Sequence, residues 1–134
     1  MKKIYDLNLK KVYISGPMSG ITDLNFPEFE KAEIKMKSFG FEVFNPHKFE
    51  EQKTEKFLNK IKNSNDNDSW IEYMKVDIVK MLQECEFVLA LNNWERSRGA
   101  TVELFLAKSL GMPIIHHDTY EELNVSFKIE RIYG

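Results

Sequence analysis

Short apolar runs alternate with helical stripes along the chain. Val12-Tyr13-Ile14-Ser15 is a β-branched and aromatic run that stops at Gly16-Pro17, so it reads as a strand ending in a turn. Asn25 is a candidate N-cap for a helix with Pro27 in its first turn. Phe29, Ala32, Met36 and Phe39 form its apolar stripe, and Gly40 ends it. Phe41-Glu42-Val43-Phe44 predicts a second strand, closed by Asn45-Pro46. Ser69-Trp70-Ile71-Glu72 matches a capping box, and the helix that it starts runs to about Glu84. Phe87 to Leu91 is an unbroken apolar run, the signature of a strand covered on both faces. A glycine-led turn then feeds a helix that ends at Gly111, and Pro113-Ile114-Ile115-His116 predicts a further strand. Val125-Ser126-Phe127-Lys128-Ile129 alternates as an edge strand would.

The texture changes between residues 47 and 68. A polar helix around Phe57, Leu58 and Ile61 is followed by Asn63-Ser64-Asn65-Asp66-Asn67-Asp68, a loop by composition. This stretch has too few apolar residues to bury a core of its own, so it reads as an insertion or lid in a single domain spanning residues 1–134. The alternating βαβα order predicts an α/β, Rossmann-like domain. Its mainly parallel sheet has four or five strands, with helices on both faces. Ligands in such folds bind at the carboxyl ends of the strands. The loops expected there are 16–25, 45–47 and 92–99.

Composition narrows the function classes. Hydrophobic content of 43% and charged content of 30% are those of a soluble globular protein. A net charge of −2 argues against a general nucleic-acid binder. No apolar run reaches membrane-spanning length, and the first residues lack the apolar core of a signal peptide. The lone Cys85 fits a reducing cytoplasm as a small buried residue. His47, His116 and His117 show no metal-ligand spacing with carboxylates or Cys85, and neither a metal nor a cofactor is expected.

Two acids stand where the pattern calls for apolar side chains. Ala100, Glu103, Leu104, Ala107 and Gly111 share one helical stripe, so Glu103 should face the sheet. An unpaired acid there is costly, and its placement in the first turn favours the ionised form. The alternative is a Glu that reaches back to cap free N–H groups. Asp77 lies between Met74 and Met81 on the apolar face of the preceding helix, where a salt bridge to a neighbouring Lys is the structural alternative. Two carboxylates in different environments are the minimum equipment for cleaving a glycosidic bond.

The loop Ser15-Gly16-Pro17-Met18-Ser19-Gly20 follows a strand. It either cradles an anion on exposed N–H groups or is an ordinary glycine turn; it is neither a P-loop nor a dinucleotide fingerprint. Ser97, Arg98 and Gly99 open the next helix and would face it, with Arg96 and Arg98 either adding charge or simply solvated. Asn93-Trp94 is a candidate base reader, Trp94 stacking and Asn93 reading the base edge; equally, Trp94 could close the edge of the core.

The strand ending Tyr13-Ile14-Ser15-Gly16-Pro17, the inward Asp77, the strand Phe87 to Leu91, and Ser97-x-Gly99-x-x-x-Glu103 followed by Ala107 together resemble the nucleoside 2-deoxyribosyltransferase superfamily. That superfamily includes the nucleoside 5′-monophosphate N-glycosidases. Asn45-Pro46, Trp70 and the run from Trp94 to Ala100 look closest to a branch often carried by phages and prophages. The resemblance implies that Glu103 is the nucleophile that forms a covalent glycosyl-enzyme, and that Asp77 supplies a proton to the departing base. Ser97 stands where base-exchanging transferases carry an acid; a serine there is similar to the monophosphate glycosidases, where it helps to hold the 5′-phosphate. Hydrolysis of a (deoxy)nucleoside 5′-monophosphate to base and sugar phosphate is therefore the expected activity. Base exchange, or nucleotide binding without turnover, are the alternatives. Two features depart from the family pattern: Phe105 replaces a glycine two residues after the nucleophile, and the 47–68 stretch has no counterpart. The resemblance also implies a homodimer or higher homo-oligomer.

Overall fold

The structure is a computed structural model that describes residues 3–127. Its sheet has four parallel strands: β1 (Lys11–Ser15), β2 (Glu42–Phe44), β3 (Phe87–Ala90) and β4 (Ile114–His116). They lie in the order β2-β1-β3-β4. The chain thus steps to one side of β1 and then returns to the other. That reversal falls at β1 and β3, whose carboxyl ends are the place where α/β sheets bind ligands.

Strand alternation sorts the core into two layers. Val12, Ile14, Phe87, Leu89 and Ile115 pack with Phe29 and Met36 of α1 (Phe26–Ser38). Tyr13, Val88, Ala90 and Ile114 pack instead with Met81, Leu104 and Ala107, which belong to α3 (Asp66–Glu84) and α4 (Arg98–Ser109). The predicted α/β, Rossmann-like class with helices on both faces is what the structure has. None of the described helices is long and apolar enough to cross a membrane.

Several expectations are corrected. Phe39, the residue that follows α1, is 44% exposed, and the buried positions of the helix are Phe29, Glu33 and Met36. Glu33 tolerates burial because Lys37, Asn45 and Lys48 all donate to it, at 2.6, 3.0 and 3.1 Å. Asn25 occupies the N-cap position with a left-handed backbone (φ 62°) and makes no side-chain cap. Only the first half of the stretch 63–68 is a loop: α2 (Glu55–Lys62) is followed by a three-residue turn, and α3 begins at Asp66. Asn65, not Ser69, is its N-cap, accepting from the Asp68 N–H. Acids suit the first turn of a helix, so Asp66 and Asp68 extend α3 toward its N-terminus. Residues 125–127 form no strand, and Lys128 and Ile129 lie outside the described residues. The edge of β4 is instead met by an isolated antiparallel bridge, Ile115 to Glu122.

Candidate active site

β1 and α4 build the centre of the site. Tyr13 and Ser15 are two residues apart on a strand, so their side chains leave the same face. α4 crosses that face with Ala100, Glu103, Leu104 and Ala107 buried, the stripe expected from the sequence. Glu103 is only 5% exposed. Tyr13 Oη donates to Glu103 Oε2 at 2.5 Å, and Ser15 Oγ donates to Glu103 Oε1 at 2.7 Å. Each carboxylate oxygen therefore has its own hydroxyl donor, and hydrogen bonds to a charged acceptor are the strong ones. The capping alternative is removed: Ser97 caps α4, its Oγ accepting from Ala100 N–H at 3.1 Å. Because α4 starts at Arg98, Glu103 sits in the second turn rather than the first, and the hydroxyls do more for it than the helix dipole.

Asp77, 8% exposed, faces the same layer from α3. Its partner is not a lysine. Gln52 Nε2 donates to Asp77 Oδ1 at 2.7 Å. Gln52 ends a short 3-10 turn (Glu50–Gln52), so the polar stretch set apart in the sequence delivers a residue to the site.

Burial shapes the charge state of the pair. It pushes Asp77 from an ordinary 3.8 up to about 7, against the hydrogen bond from Gln52. It pushes Glu103 from 4.5 up to about 8; the Asp77 charge adds to that rise, and the Tyr13 and Ser15 hydrogen bonds oppose it. The two acids titrate as a pair, and near neutral pH they share about one proton. Burial, followed by the charges of Glu103 and Asp77, holds the Tyr13 phenol well above its usual range, so Tyr13 remains a donor. Burial likewise pushes the Cys85 thiol up to about 12, which leaves it an inert core residue.

The loop after β1 splits into two parts. Ser15, Gly16 and Pro17 are buried, Met18 is half-buried against the α1-side core, and Ser19 and Gly20 lie exposed at the tip. Gly16 has a packing reason: a Cβ there would stand 2.8 Å from Leu91 Cβ and 2.9 Å from Leu91 Cδ1. Leu91 Cβ is fixed to its backbone and cannot rotate away. Gly16→Ala is expected to lower stability by about 1–3 kcal/mol, the usual range for overpacking, read as a lower urea midpoint at unchanged slope.

The other candidates are placed as follows. Arg98 stacks over the Trp70 ring at 3.8 Å and donates to Asn67 at 3.1 Å, so its guanidinium is committed to α3. Gly99 lets α4 approach α3, since a Cβ there would meet Met74 Sδ at 3.3 Å. Trp94 is half-buried, with its ring 6.1 Å from Phe127 and packed on the core layer that contains Tyr13 and Leu104. Of its two readings, the core-edge one describes this contact. Asn93 is exposed in a left-handed conformation. Tyr13 and Gln52 were not singled out by sequence reasoning. Strand alternation from Ser15 could have found Tyr13; no periodic signal marks Gln52.

A possible metal-binding group occurs elsewhere. The turn after β4 brings ligand atoms of His116, His117 and Asp118 within 4.8 Å of one another. Internal contacts account for much of it: His116 Nδ1 accepts the Asp118 N–H at 3.1 Å, and His117 Nε2 lies 2.9 Å from Asp118 Oδ1. A cavity of about 360 Å³ beside it, lined by Glu28, Lys31, Met36 and Leu91, carries neither buried acid of the pair.

No curated protein matches the chain. A family model described as a domain of unknown function, DUF4406, matches residues 10–116, from the start of β1 through β4, with Asp77 and Glu103 inside it. The chain belongs to the DUF4406 family.

Proposed function

We propose that the protein is an N-glycosidase that cleaves the base–sugar bond of a (deoxy)nucleoside 5′-monophosphate through a covalent glycosyl-Glu103 intermediate. The observation that carries this reading is the buried pair of acids, with Glu103 held through both oxygens by hydroxyl donors. A purely structural buried acid is normally met by a cation, as Glu33 is by Lys37 and Lys48. Glu103 has hydroxyls instead, an arrangement that leaves an oxygen lone pair to attack a carbon carrying positive charge.

In the first step, a Glu103 oxygen bonds to the anomeric carbon while the bond from that carbon to the base nitrogen breaks. The bond's electron pair goes to the base, and Asp77 supplies the proton that neutralises it. In the second step the Asp77 carboxylate takes a proton from water, the hydroxide bonds to the anomeric carbon, and the Glu103 carboxylate is released. The step needs charge on Glu103 and the proton on Asp77. Burial leaves the pair in the other order, Glu103 at about 8 and Asp77 at about 7, so the reactive form is the less populated of the two one-proton states; the two hydroxyl donors on Glu103, against one amide on Asp77, offset part of that bias.

The phosphate preference rests on Ser97 at the α4 N-cap, beside first-turn N–H groups that have no carbonyl partner within the helix. Incubation with a panel of ribo- and deoxyribonucleoside 5′-monophosphates and the matching nucleosides, followed by chromatography, tests the proposal. Base released from monophosphates alone supports it. Base exchange between unphosphorylated nucleosides would replace it with a transferase, and no release from any of them with a binding module. Tyr13→Phe removes one donor from Glu103 and should raise its pKa. The acidic limb of the activity profile is expected to move up by about one pH unit, visible in kcat/KM against pH.

A further inference from the structure

The Glu50–Gln52 turn makes one contact that the two-acid reading leaves unused. Gln52 Nε2 donates to Asp77 Oδ1 at 2.7 Å and also to the Tyr73 carbonyl at 3.3 Å. A primary amide nitrogen has two protons, and both go to α3, to acceptors one helical turn apart. The turn itself is anchored. Glu51 pairs with Lys80 of α3 at 2.5 Å, and that ammonium stands 5.7 Å from the Phe49 ring centroid. Phe49 is buried, with its ring 6.3 Å from that of Tyr13, the donor to Glu103. The segment thus touches Asp77 directly and lies one residue removed from Glu103, through Tyr13.

We propose that Gln52 is a positioning residue of the active site: its amide holds the Asp77 carboxyl in one orientation through Oδ1 and so leaves Oδ2 as the oxygen that carries the proton to the departing base. This rests on the glycosidase reading. An oxygen that accepts a short amide N–H bond is the carbonyl-like oxygen of a protonated carboxyl, so the proton resides on the other. In the first step the Oδ2–H bond breaks and its proton passes to the base nitrogen; in the second, Oδ2 receives a proton from water. Asp77 is faced by Glu103 from α4 and by Tyr13 from β1, and both respond to its charge. Glu51 and Lys80 flank Gln52 as a mutual pair.

Gln52→Leu keeps much of the side-chain length and removes the donor, and Gln52→Met is a second, unbranched version. The amide bond lowers the Asp77 pKa, so its loss should raise it. Carboxyl-carbon NMR, assigned with Asp77→Asn, should show the Asp77 titration moving up by about one pH unit in both variants. The alkaline limb of kcat should move the same way, with kcat reduced about 10-fold and KM nearly unchanged. A purely structural role would lower the melting temperature and leave the Asp77 titration in place; that result overturns the proposal. A moved titration without turnover of any nucleotide would keep Gln52 as the group that sets Asp77 and overturn the glycosidase reading instead.

Discussion

Glu103→Gln is expected to abolish base release, lowering kcat by ~10,000-fold or more, while leaving the protein at least as stable as the parent. An amide cannot form the glycosyl ester, and losing a nucleophile removes most of the chemical step. The stability half follows from linkage. Glu103 and Asp77 both titrate higher in the folded protein than in the unfolded chain, about 8 against 4.5 and about 7 against 3.8. Between those values the folded state binds more protons, so stability falls as pH rises. The stability that these two acids contribute is therefore greatest on the acid side and is lost as pH climbs through their folded pKa values. Glu103→Gln removes one of the two titrations and its repulsion of Asp77. Melting temperatures measured for both proteins from pH 5 to 9 should show the variant gaining on the parent as pH rises, with the gap widest toward pH 9. A variant that is equally active, or that melts far lower at every pH, contradicts this account of Glu103.

Asp77→Asn carries the second-largest expected effect, a loss of about 100- to 10,000-fold in kcat for an ordinary nucleotide. The loss should shrink for a substrate whose base departs without protonation, because the missing proton is then not needed. The pH profile supplies a signed check. In the parent, activity requires one ionised and one protonated acid, so the optimum falls between the two macroscopic ionisations, about 7 and about 8. Asp77→Asn removes the charge that helps to raise Glu103, so the acidic limb should move to lower pH and the alkaline limb should disappear. Steady-state kinetics across that range reads both. An unmoved acidic limb would mean that the two carboxyls do not share the site's proton.

The residues legible beforehand were those on a regular period. Ala100, Glu103, Leu104 and Ala107 recur at helical spacing, and Asp77 interrupts the spacing of Met74 and Met81, so both acids could be placed facing the sheet before any coordinates. What met them there was not legible. Tyr13 and Glu103 are 90 residues apart in sequence, and only the strand order brings β1 beneath α4. Gln52 lies in a 3-10 turn, which has no extended period to detect. Local chemistry also misled where two signals competed. The Ser69–Glu72 box is intact in sequence, yet Asn65 starts α3 earlier because the acids between them are good first-turn residues. Glu33 escaped notice because its Lys37 pair is an ordinary i,i+4 helix contact; Asn45 and Lys48 become partners only once the segment after β2 packs beside α1. Gly16 showed the reverse, a glycine expected to give a ligand close approach whose close neighbour is Leu91.

The central claim is a covalent bond between Glu103 and a sugar phosphate. Its most direct test is intact-protein and peptide mass spectrometry after rapid acid quench of the parent with whichever panel nucleotide releases base. The account predicts a mass increase of one sugar phosphate less water, mapped to the peptide containing Glu103 and absent from Glu103→Gln. Turnover with the adduct on another residue, or an adduct that persists in Glu103→Gln, would contradict it.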